Sequence, residues 1–214
     1  MLETVIYIAE PELAQNEFEY LLRLVSEERR EKISRFHFFR DARNSLMGDI
    51  IVRSEICKRT GLSNSALSFG KNGYGKPFLI NNPRVHFNIS HAGCYVAVAI
   101  DDKPVGIDIE LKGKADTRVA DRFFTVDERE YIYSYHENTR SQAFFEVWTK
   151  KEAYIKWESI GLSKPLSSFS VLSNDPKSIR YYRVFEDDWA ICHVCTEQTE
   201  IPKCRLFSLS EVLH

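Results

Sequence analysis

The sequence predicts an α+β protein made of two similar halves. Segments with apolar residues at helical spacing precede short segments of strand-forming residues, and this order occurs twice within 214 residues. The two sets meet at the turn-like stretch Asp101-Asp102-Lys103-Pro104. Because helices and strands are grouped rather than alternating one by one, we expect helices packed on a small antiparallel sheet in each half. The halves are predicted to span residues 1–102 and 103–214.

The first half begins with a predicted strand at Thr4–Ala9 and continues with three helices. Ser26 precedes two glutamates and is therefore a good N-cap for the second helix, while Gly61 is typical of a helix end. The predicted helices span Glu12–Leu24, Ser26–Phe36 and Asp41–Thr60. A short strand at Leu67–Phe69 and a turn-rich loop at Lys71–Pro77 lead into the sheet.

Strand-like runs and a second set of helices occupy the rest of the chain. The first strands are predicted at Val85–Ile89, Tyr95–Ile100 and Val105–Glu110. The helices are predicted at Arg118–Phe123, Thr125–Tyr135 and Ser141–Ile160. The last strands are predicted at Phe169–Leu172, Ile179–Phe185, Trp189–Thr196 and Arg205–Leu209. Thr125 and Glu128 stand at capping-box spacing, which supports a helix start there.

Composition and charge exclude several classes of protein. The 29 lysines and arginines nearly balance the 31 aspartates and glutamates, so no basic field would capture nucleic acid. The longest apolar run, Cys94–Ile100, is far shorter than the roughly 20 residues of a membrane helix. The first residues contain an early acid and no basic region, unlike a signal peptide. We therefore expect a cytoplasmic, globular protein that binds neither nucleic acid nor membrane.

The five cysteines, at positions 57, 94, 192, 195 and 204, are scattered along the chain. Cys192 and Cys195 have the CxxC spacing of some zinc and redox sites. Both lie in the strand-like run Trp189–Thr196, where residues three apart point to opposite faces. We therefore expect structural cysteines rather than a metal or redox site.

Val105–Glu110 is the most informative stretch for function. Along a strand its β-branched residues face one side, while Gly106, Asp108 and Glu110 face the other. Two carboxylates then project together, and their repulsion raises a pKa unless a cation neutralises them. A solvated strand face is the alternative, and this stretch alone does not decide between the two.

A third acid lies on a predicted helix. Trp148, Glu152 and Lys156 are four residues apart and share one stripe of that helix, a pattern also typical of a surface ion pair. Together with Asp108 and Glu110, however, Glu152 completes a set of oxygen ligands that suits Mg²⁺ before Ca²⁺ or Zn²⁺. Mg²⁺ held by a few carboxylates commonly keeps positions for phosphates, and Lys156 would then lie beside a phosphate or a leaving oxygen.

Candidate anion-binding groups occur in three places. The loop Tyr74–Pro77 offers backbone N–H groups and a lysine, and Ser90 with His91 ends a strand. Arg29 and Lys32 lie about one helical turn apart and could clamp a phosphate, although such charges are more often a solvated helix face. We do not expect a serine hydrolase, because adjacent residues rarely reach triad geometry and the sequence has no GxSxG.

Four blocks of this sequence, in this order, resemble the 4′-phosphopantetheinyl transferase superfamily. They are Phe87–His91, Val105–Glu110, Arg122–Phe124 with Glu128, and Trp148–Lys156. The resemblance is to the larger, monomeric type that serves nonribosomal peptide and polyketide synthetases. It also includes Lys32–Phe36, Gly48–Arg53, Tyr74–Pro77 and Gly161–Leu166, and it covers about residues 5 to 175.

The resemblance implies a pseudo-twofold pair of α+β halves with coenzyme A in the cleft between them. It implies that Asp108, Glu110 and Glu152 hold Mg²⁺ on the coenzyme A pyrophosphate and that Lys156 lies beside the reacting phosphate. The catalytic residues are then Glu152, Lys156 and Asp108. The residues implied to bind coenzyme A, its nucleotide and its 3′-phosphate are Arg29, Lys32, Ser45, Tyr74, Gly75, Lys76, Pro77, Ser90, His91 and Lys156.

The implied reaction is the Mg²⁺-dependent transfer of 4′-phosphopantetheine from coenzyme A to a serine of an apo acyl or peptidyl carrier protein, with release of 3′,5′-ADP. The serine attacks the β-phosphate, and Glu152 or a water that it orients accepts the proton. Two alternatives stay open: an Mg²⁺-dependent phosphohydrolase or phosphodiesterase with the same carboxylates, and a non-catalytic module that binds an acidic partner. The surface expected to meet a carrier protein comprises Lys112, Lys114, Arg118, Arg122, Phe123 and Phe124.

Overall fold

The computed structural model of the chain describes residues 1–9, 13–172 and 178–213. Its strands are β1 (Glu3–Ile8), β2 (Phe69–Lys71), β3 (Pro77–Leu79), β4 (His86–Ala92), β5 (Tyr95–Asp101), β6 (Val105–Leu111), β7 (Arg180–Glu186), β8 (Ala190–Thr196) and β9 (Lys203–Leu206). Its α-helices are α1 (Gln15–Leu22), α2 (Glu27–Ser34), α3 (Phe39–Thr60), α4 (Arg118–Phe123), α5 (Val126–Ser134) and α6 (Arg140–Glu158). Short 3₁₀ turns lie at Asn64–Ala66, Gly161–Ser163, Leu166–Ser168 and Leu209–Glu211.

Two sheets with the same internal arrangement form the centre of the molecule. In the first sheet, in the order β4-β5-β1-β9, β5 pairs antiparallel with both β4 and β1. In the second sheet, in the order β6-β8-β7, β8 pairs antiparallel with both β6 and β7. Each sheet therefore has a leading strand, a set of helices and a hairpin whose second strand returns beside the leading strand. The predicted α+β class with two similar halves is confirmed.

The sheets face each other across an apolar interface. Alternate residues of β5 belong to different clusters: Val96 and Val98 pack with the helices of the first half, while Ala97 and Ala99 pack with β6 and β8. On the far side of the second sheet, α6 packs through Ala153 and Tyr154 against β8. The molecule is thus layered as helices, sheet, sheet and helices, and strands β4 and β6 lie side by side where the two sheets meet.

The sequence prediction is wrong around residues 69–79 and 169–172. The sequence predicts a strand at Leu67–Phe69 and a loop at Lys71–Pro77. In the structure, Phe69–Lys71 and Pro77–Leu79 are two paired strands. Phe169–Leu172 is not a strand, because side chains rather than a neighbouring strand bind its polar groups. The amine of Lys151 donates to the carbonyl oxygen of Phe169 at 2.7 Å, and the amide of Val171 donates to Glu128 at 2.9 Å.

Several predicted elements differ from the observed ones at their ends, including the first helix and the last strand. The helix predicted over Glu12–Leu24 is observed at Gln15–Leu22, and residue 12 lies outside the described residues. The strand predicted at Arg205–Leu209 is β9, at Lys203–Leu206. It pairs parallel with β1 in the first sheet, although its sequence position is far beyond the division predicted between residues 102 and 103.

Cys192 and Cys195 lie in different apolar clusters, as the alternation of strand β8 predicts. Cys192 packs between the two sheets and Cys195 packs against α6. The CxxC spacing therefore does not bring two thiols together. None of the helices in the described ranges combines the length and apolarity that crossing a bilayer requires.

Candidate active site

The carboxylates of β6 lie at the junction of the two sheets. Ile107 and Ile109 enter the interface between the sheets, so Asp108 and Glu110 face α6, as the alternation predicts. Asp108 is only 3% exposed, while Glu110 is partly exposed. Asn88 of β4 contributes to this junction, because its side chain accepts a hydrogen bond from the backbone N–H of Ile107 at 2.8 Å.

Gly106 sets how closely α6 approaches the strand. A Cβ at this position would lie 2.0 Å from the carbonyl oxygen of Ala153 and 2.5 Å from the amide nitrogen of Trp157. Backbone atoms cannot rotate away from such a contact, so only glycine allows helix and strand to touch here. This contact brings Glu152 and Lys156 over the acidic face of β6.

Lys156 and Ser90 bind the same oxygen of Asp108. The Nζ of Lys156 is 2.6 Å from Asp108 Oδ1 and 2.9 Å from Ser90 Oγ. The Ser90 hydroxyl donates to Asp108 Oδ1 at 3.0 Å and accepts from the N–H of Ile109 at 3.3 Å. The other carboxylate oxygen, Asp108 Oδ2, is buried and has no hydrogen-bond partner among the described residues.

Burial raises the pKa of all three acids, and the charge of Asp108 adds to the shift in the two glutamates. Burial raises the pKa of Asp108, and the Lys156 ammonium opposes that shift. Burial and then the charge of Asp108 raise the pKa values of Glu110 and Glu152. The indole N–H of Trp148 donates to Glu110 Oε1 at 3.2 Å and partly offsets the effect there. The site therefore concentrates negative charge that a cation would stabilise.

The predicted metal ligands fit Mg²⁺ in their chemistry. Within residues 1–9, 13–172 and 178–213, no group of three or more His, Cys, Asp and Glu side chains is arranged to hold a metal ion as it stands. Asp108 Oδ2 is nevertheless buried without a hydrogen-bond partner among the described residues, and hard cations prefer carboxylate oxygens. The ligand set Asp108, Glu110 and Glu152 stays a prediction.

A cluster of cations lies on α2 and the strand β2. The guanidinium of Arg29 donates to the carbonyl and hydroxyl oxygens of Ser45 at 2.9 and 3.0 Å. Burial and then the positive charges of Arg29 and Lys71 lower the pKa of Lys32. Burial and then the ammonium of Lys156 lower the pKa of His91. Lys71 is not among the candidate anion-binding residues predicted from the sequence. Its position beside α2 depends on the β2–β3 hairpin, which was not predicted from the sequence either.

The loop predicted to offer backbone N–H groups to an anion is closed on itself. Asn72 Oδ1 accepts hydrogen bonds from the N–H groups of Tyr74 and Lys76 at 3.0 and 2.9 Å. The N–H of Gly75 donates to the carbonyl oxygen of Asn72 at 3.0 Å, and Gly75 has a φ of 85°, which favours glycine. These three amides therefore have partners within the loop, while the ring of Tyr74 is exposed.

The amine of Lys76 binds the second half of the molecule. Its Nζ is 3.0 Å from the carbonyl oxygen of Val105, 2.5 Å from that of Lys156 and 3.0 Å from Ser159 Oγ. These acceptors lie at the start of β6 and the end of α6. The structure thus places Lys76 near the predicted site, but with its amine bound to protein oxygens.

The surface expected to meet a carrier protein is less basic than the sequence indicates. Lys112 pairs with Glu186 at 3.2 Å, and Arg118 pairs with Asp116 at 2.7 Å. Phe124 is buried against Phe144 and Trp148 and does not belong to this surface. Phe123 is 44% exposed, and the guanidinium of Arg122 lies over its ring.

Comparisons with known proteins agree with the four sequence blocks. A family model described as "4'-phosphopantetheinyl transferase, N-terminal" matches residues 11–103, and one described as "4'-phosphopantetheinyl transferase superfamily" matches residues 104–207. Over 166 residues the chain is 42% identical to the 4′-phosphopantetheinyl transferase ffp of Bacillus subtilis, covering 78% of this chain and 74% of the relative.

Two further relatives are more distant. The 4′-phosphopantetheinyl transferase gsp of Aneurinibacillus migulanus is 35% identical over 181 residues, which are 85% of this chain and 76% of that protein. The L-aminoadipate-semialdehyde dehydrogenase-phosphopantetheinyl transferase of Xenopus laevis is 31% identical over 163 residues, which are 70% of this chain and 54% of that protein. The chain therefore belongs to the 4′-phosphopantetheinyl transferase superfamily and is an enzyme with that transferase activity.

Proposed function

We propose that this transferase moves 4′-phosphopantetheine from coenzyme A to a serine hydroxyl of an apo acyl or peptidyl carrier protein and releases 3′,5′-ADP. One observation carries the proposal: Asp108 lies where the two halves meet, with one oxygen bound to Lys156 and Ser90 and the other buried without a partner. A buried, half-satisfied carboxylate suits a site for a cation and a phosphate.

Asp108, Glu110 and Glu152 would hold Mg²⁺ in this reaction. When bound, the ion would neutralise charge on the pyrophosphate of coenzyme A. Burial raises the pKa of all three acids, and the charge of Asp108 adds to the shift in Glu110 and Glu152. This supports the assignment, because a divalent cation would stabilise the buried carboxylates and relieve the repulsion between them. Glu110 would be oriented by the indole of Trp148.

Glu152 would act on the proton of the serine, and Lys156 would act on the leaving group. The serine oxygen forms a bond to the β-phosphorus while the bond from that phosphorus to the bridging oxygen of 3′,5′-ADP breaks. Glu152, or a water that it orients, would accept the serine proton, and its raised pKa makes it a stronger base than an exposed glutamate. The Lys156 ammonium would stabilise or protonate the leaving phosphate.

The cations on the first half would bind the nucleotide. Arg29 and Lys32 are neighbours on α2, and His91 lies at the end of β4 toward Lys156. The pKa of Lys32 is lowered by burial and then by the charges of Arg29 and Lys71. This supports an anion site, because a phosphate would stabilise the ammonium and offset that repulsion. Ser45 would orient Arg29, and Ser90 would contact the pyrophosphate side. The loop Tyr74–Pro77, which is exposed at Tyr74 and Gly75, would border the base. We expect the protein to act as a cytoplasmic monomer.

Mass spectrometry of the carrier tests this function directly. Wild-type protein is incubated with coenzyme A, Mg²⁺ and an apo carrier domain, and the carrier should gain the mass of one phosphopantetheine. Asp108→Asn, which keeps the side-chain volume, should leave the carrier unmodified. Release of phosphopantetheine or nucleotide without a carrier would indicate the phosphohydrolase instead, and carrier binding without any mass change would indicate the non-catalytic module.

A further inference from the structure

A lysine of the first half binds the end of the helix that carries two proposed catalytic residues of the second half. An ammonium has three N–H donors, and those of Lys76 meet three oxygens, on Val105, Lys156 and Ser159. Burial lowers the pKa of Lys76 to about 8, so most of the amine is an ammonium at neutral pH. With all three donors used, the amine has none left for a phosphate.

The contact falls where a helix needs partners. The last four carbonyl groups of an α-helix accept no hydrogen bond from within the helix, and the helix C-terminus attracts positive charge. α6 ends at Glu158, so the carbonyl of Lys156 is among these groups. The cap residue Ser159 has a left-handed φ of 61°, and its carbonyl accepts from Asn72 Nδ2 at 2.8 Å. Lys76 and Asn72 together cap α6 from the other half.

The same amine also fixes the helix to the strand beneath it. The carbonyl of Val105 begins β6, the strand that carries Asp108, and the carbonyl of Lys156 belongs to the residue whose side chain binds Asp108. One ammonium therefore sets the separation of helix and strand beside the Lys156–Asp108 contact. Gly106 packs against the same part of α6, and its lack of a side chain allows the helix and the strand to come this close.

We propose that Lys76 is a positioning residue, which acts through the end of α6 to hold Lys156 against Asp108, rather than a ligand of the coenzyme A nucleotide. The inference rests on the proposed function for its kinetic consequences and on the three contacts of the Lys76 amine for its structural ones. It replaces the nucleotide-binding role that the family resemblance implies for the Lys76 amine.

The test compares Lys76→Met with Lys32→Met. Methionine keeps an unbranched stem and removes the amine in both variants, but Lys32 belongs to the cation cluster on α2. For Lys76→Met we expect kcat to fall by about tenfold to a hundredfold, because the reacting groups lose their alignment. Its KM for coenzyme A, and its preference for coenzyme A over dephospho-coenzyme A, should stay close to the wild-type values. Lys32→Met should raise that KM and weaken the preference.

A second measurement needs no substrate. Hydrogen–deuterium exchange of the backbone amides in the last turn of α6 should be faster in Lys76→Met than in wild type, and unchanged in Lys32→Met. Should Lys76→Met fail to fold, Ser159→Ala and Asn72→Ala each remove one contact of the same cap and should show the same changes to a smaller degree.

Two results would overturn the inference. The first is a raised KM for coenzyme A with a lost preference over dephospho-coenzyme A in Lys76→Met, since that is the behaviour of a nucleotide ligand. The second is a wild-type kcat together with wild-type exchange of α6. If wild-type protein transfers nothing to any carrier, the proposed function fails, while the exchange measurement still decides whether Lys76 caps the helix.

Discussion

Asp108, Glu110 and Glu152 have raised pKa values through burial, and the charge of Asp108 adds to the shift in both glutamates. A carboxyl whose pKa is higher in the folded than in the unfolded state binds protons more tightly when folded. Its contribution to stability is therefore present at low pH and is lost as the pH rises from the ordinary carboxyl range through the folded pKa. Without a cation, the three acids should make the free energy of unfolding lower at neutral pH than at acidic pH.

Glu152→Gln tests that expectation, because the amide keeps the shape and removes one charge. Between about pH 4 and pH 7, the free energy of unfolding of wild type should fall relative to that of the variant. Urea titrations without Mg²⁺ measure this, with the exposed Glu137→Gln as the control. Parallel pH profiles for wild type and Glu152→Gln would contradict the coupling.

At the scale of elements, β6 and α6 approach each other closely at Gly106. Gly106→Ala should lower the free energy of unfolding by about 1–3 kcal/mol, because the added methyl group would overlap backbone atoms of Ala153 and Trp157. The variant should also lose activity, since Glu152 and Lys156 lie on the displaced helix. Gly113→Ala is the matched control, because a Cβ there meets nothing within 4 Å. Equal stability of the two variants would contradict the close contact.

A buried ion pair joins α5, α6 and the segment after α6. Lys151 is fully buried, lies 2.8 Å from Glu128, and donates to the carbonyl oxygens of Leu166 and Phe169 at 2.7 Å. Lys151→Met should cost about 3–5 kcal/mol of stability, because it leaves the Glu128 charge buried without its partner. Thermal and urea denaturation measure the loss. The double variant with Glu128→Gln should recover part of it, and no recovery would argue against the pair.

Local patterns predicted most of the elements and part of the site. Alternation along Val105–Glu110 placed Asp108 and Glu110 on one face, and helical spacing placed Glu152 and Lys156 on one stripe. The segment Phe169–Leu172 has a strand-like composition, but Lys151 and Glu128, distant in sequence, bind its backbone instead. Such partners have no local signature.

The environment of Lys76 could not be predicted for a related reason. Its three acceptors lie 29, 80 and 83 residues further along the chain, and two of the contacts are to backbone carbonyls. Because every residue type has a backbone carbonyl, no sequence motif indicates which carbonyl will accept a hydrogen bond from Lys76. Only the packing of the two halves brings these groups to the amine.

At the scale of the whole molecule, the partner surface beside β6 can be tested by charge reversal. Lys112 and Arg118 are paired with acids of this chain, but exposed ion pairs are worth at most about 1 kcal/mol, so an acidic carrier can compete for them. Lys112→Glu with Arg118→Glu should therefore raise the KM for the carrier, and the wild-type KM should rise with salt. The KM for coenzyme A should barely change.

The control for that surface is Arg180→Glu, an exposed reversal at the opposite end of the second sheet. It should leave the carrier KM unaltered. If the double variant at low ionic strength also shows the wild-type carrier KM, the surface after β6 takes no part in docking.

The parallel pairing of β9 with β1 has a consequence for synthesis on the ribosome. β1 is translated first, yet its outer neighbour consists of residues 203–206, and Arg205 also pairs with Glu55 of α3 at 2.6 Å. At about 5–20 residues per second, one edge of β1 waits roughly 10–40 s for that neighbour. An unpaired strand edge can pair with other chains during this time. The first sheet, although its leading strand is translated first, is therefore completed only when β9 has been translated.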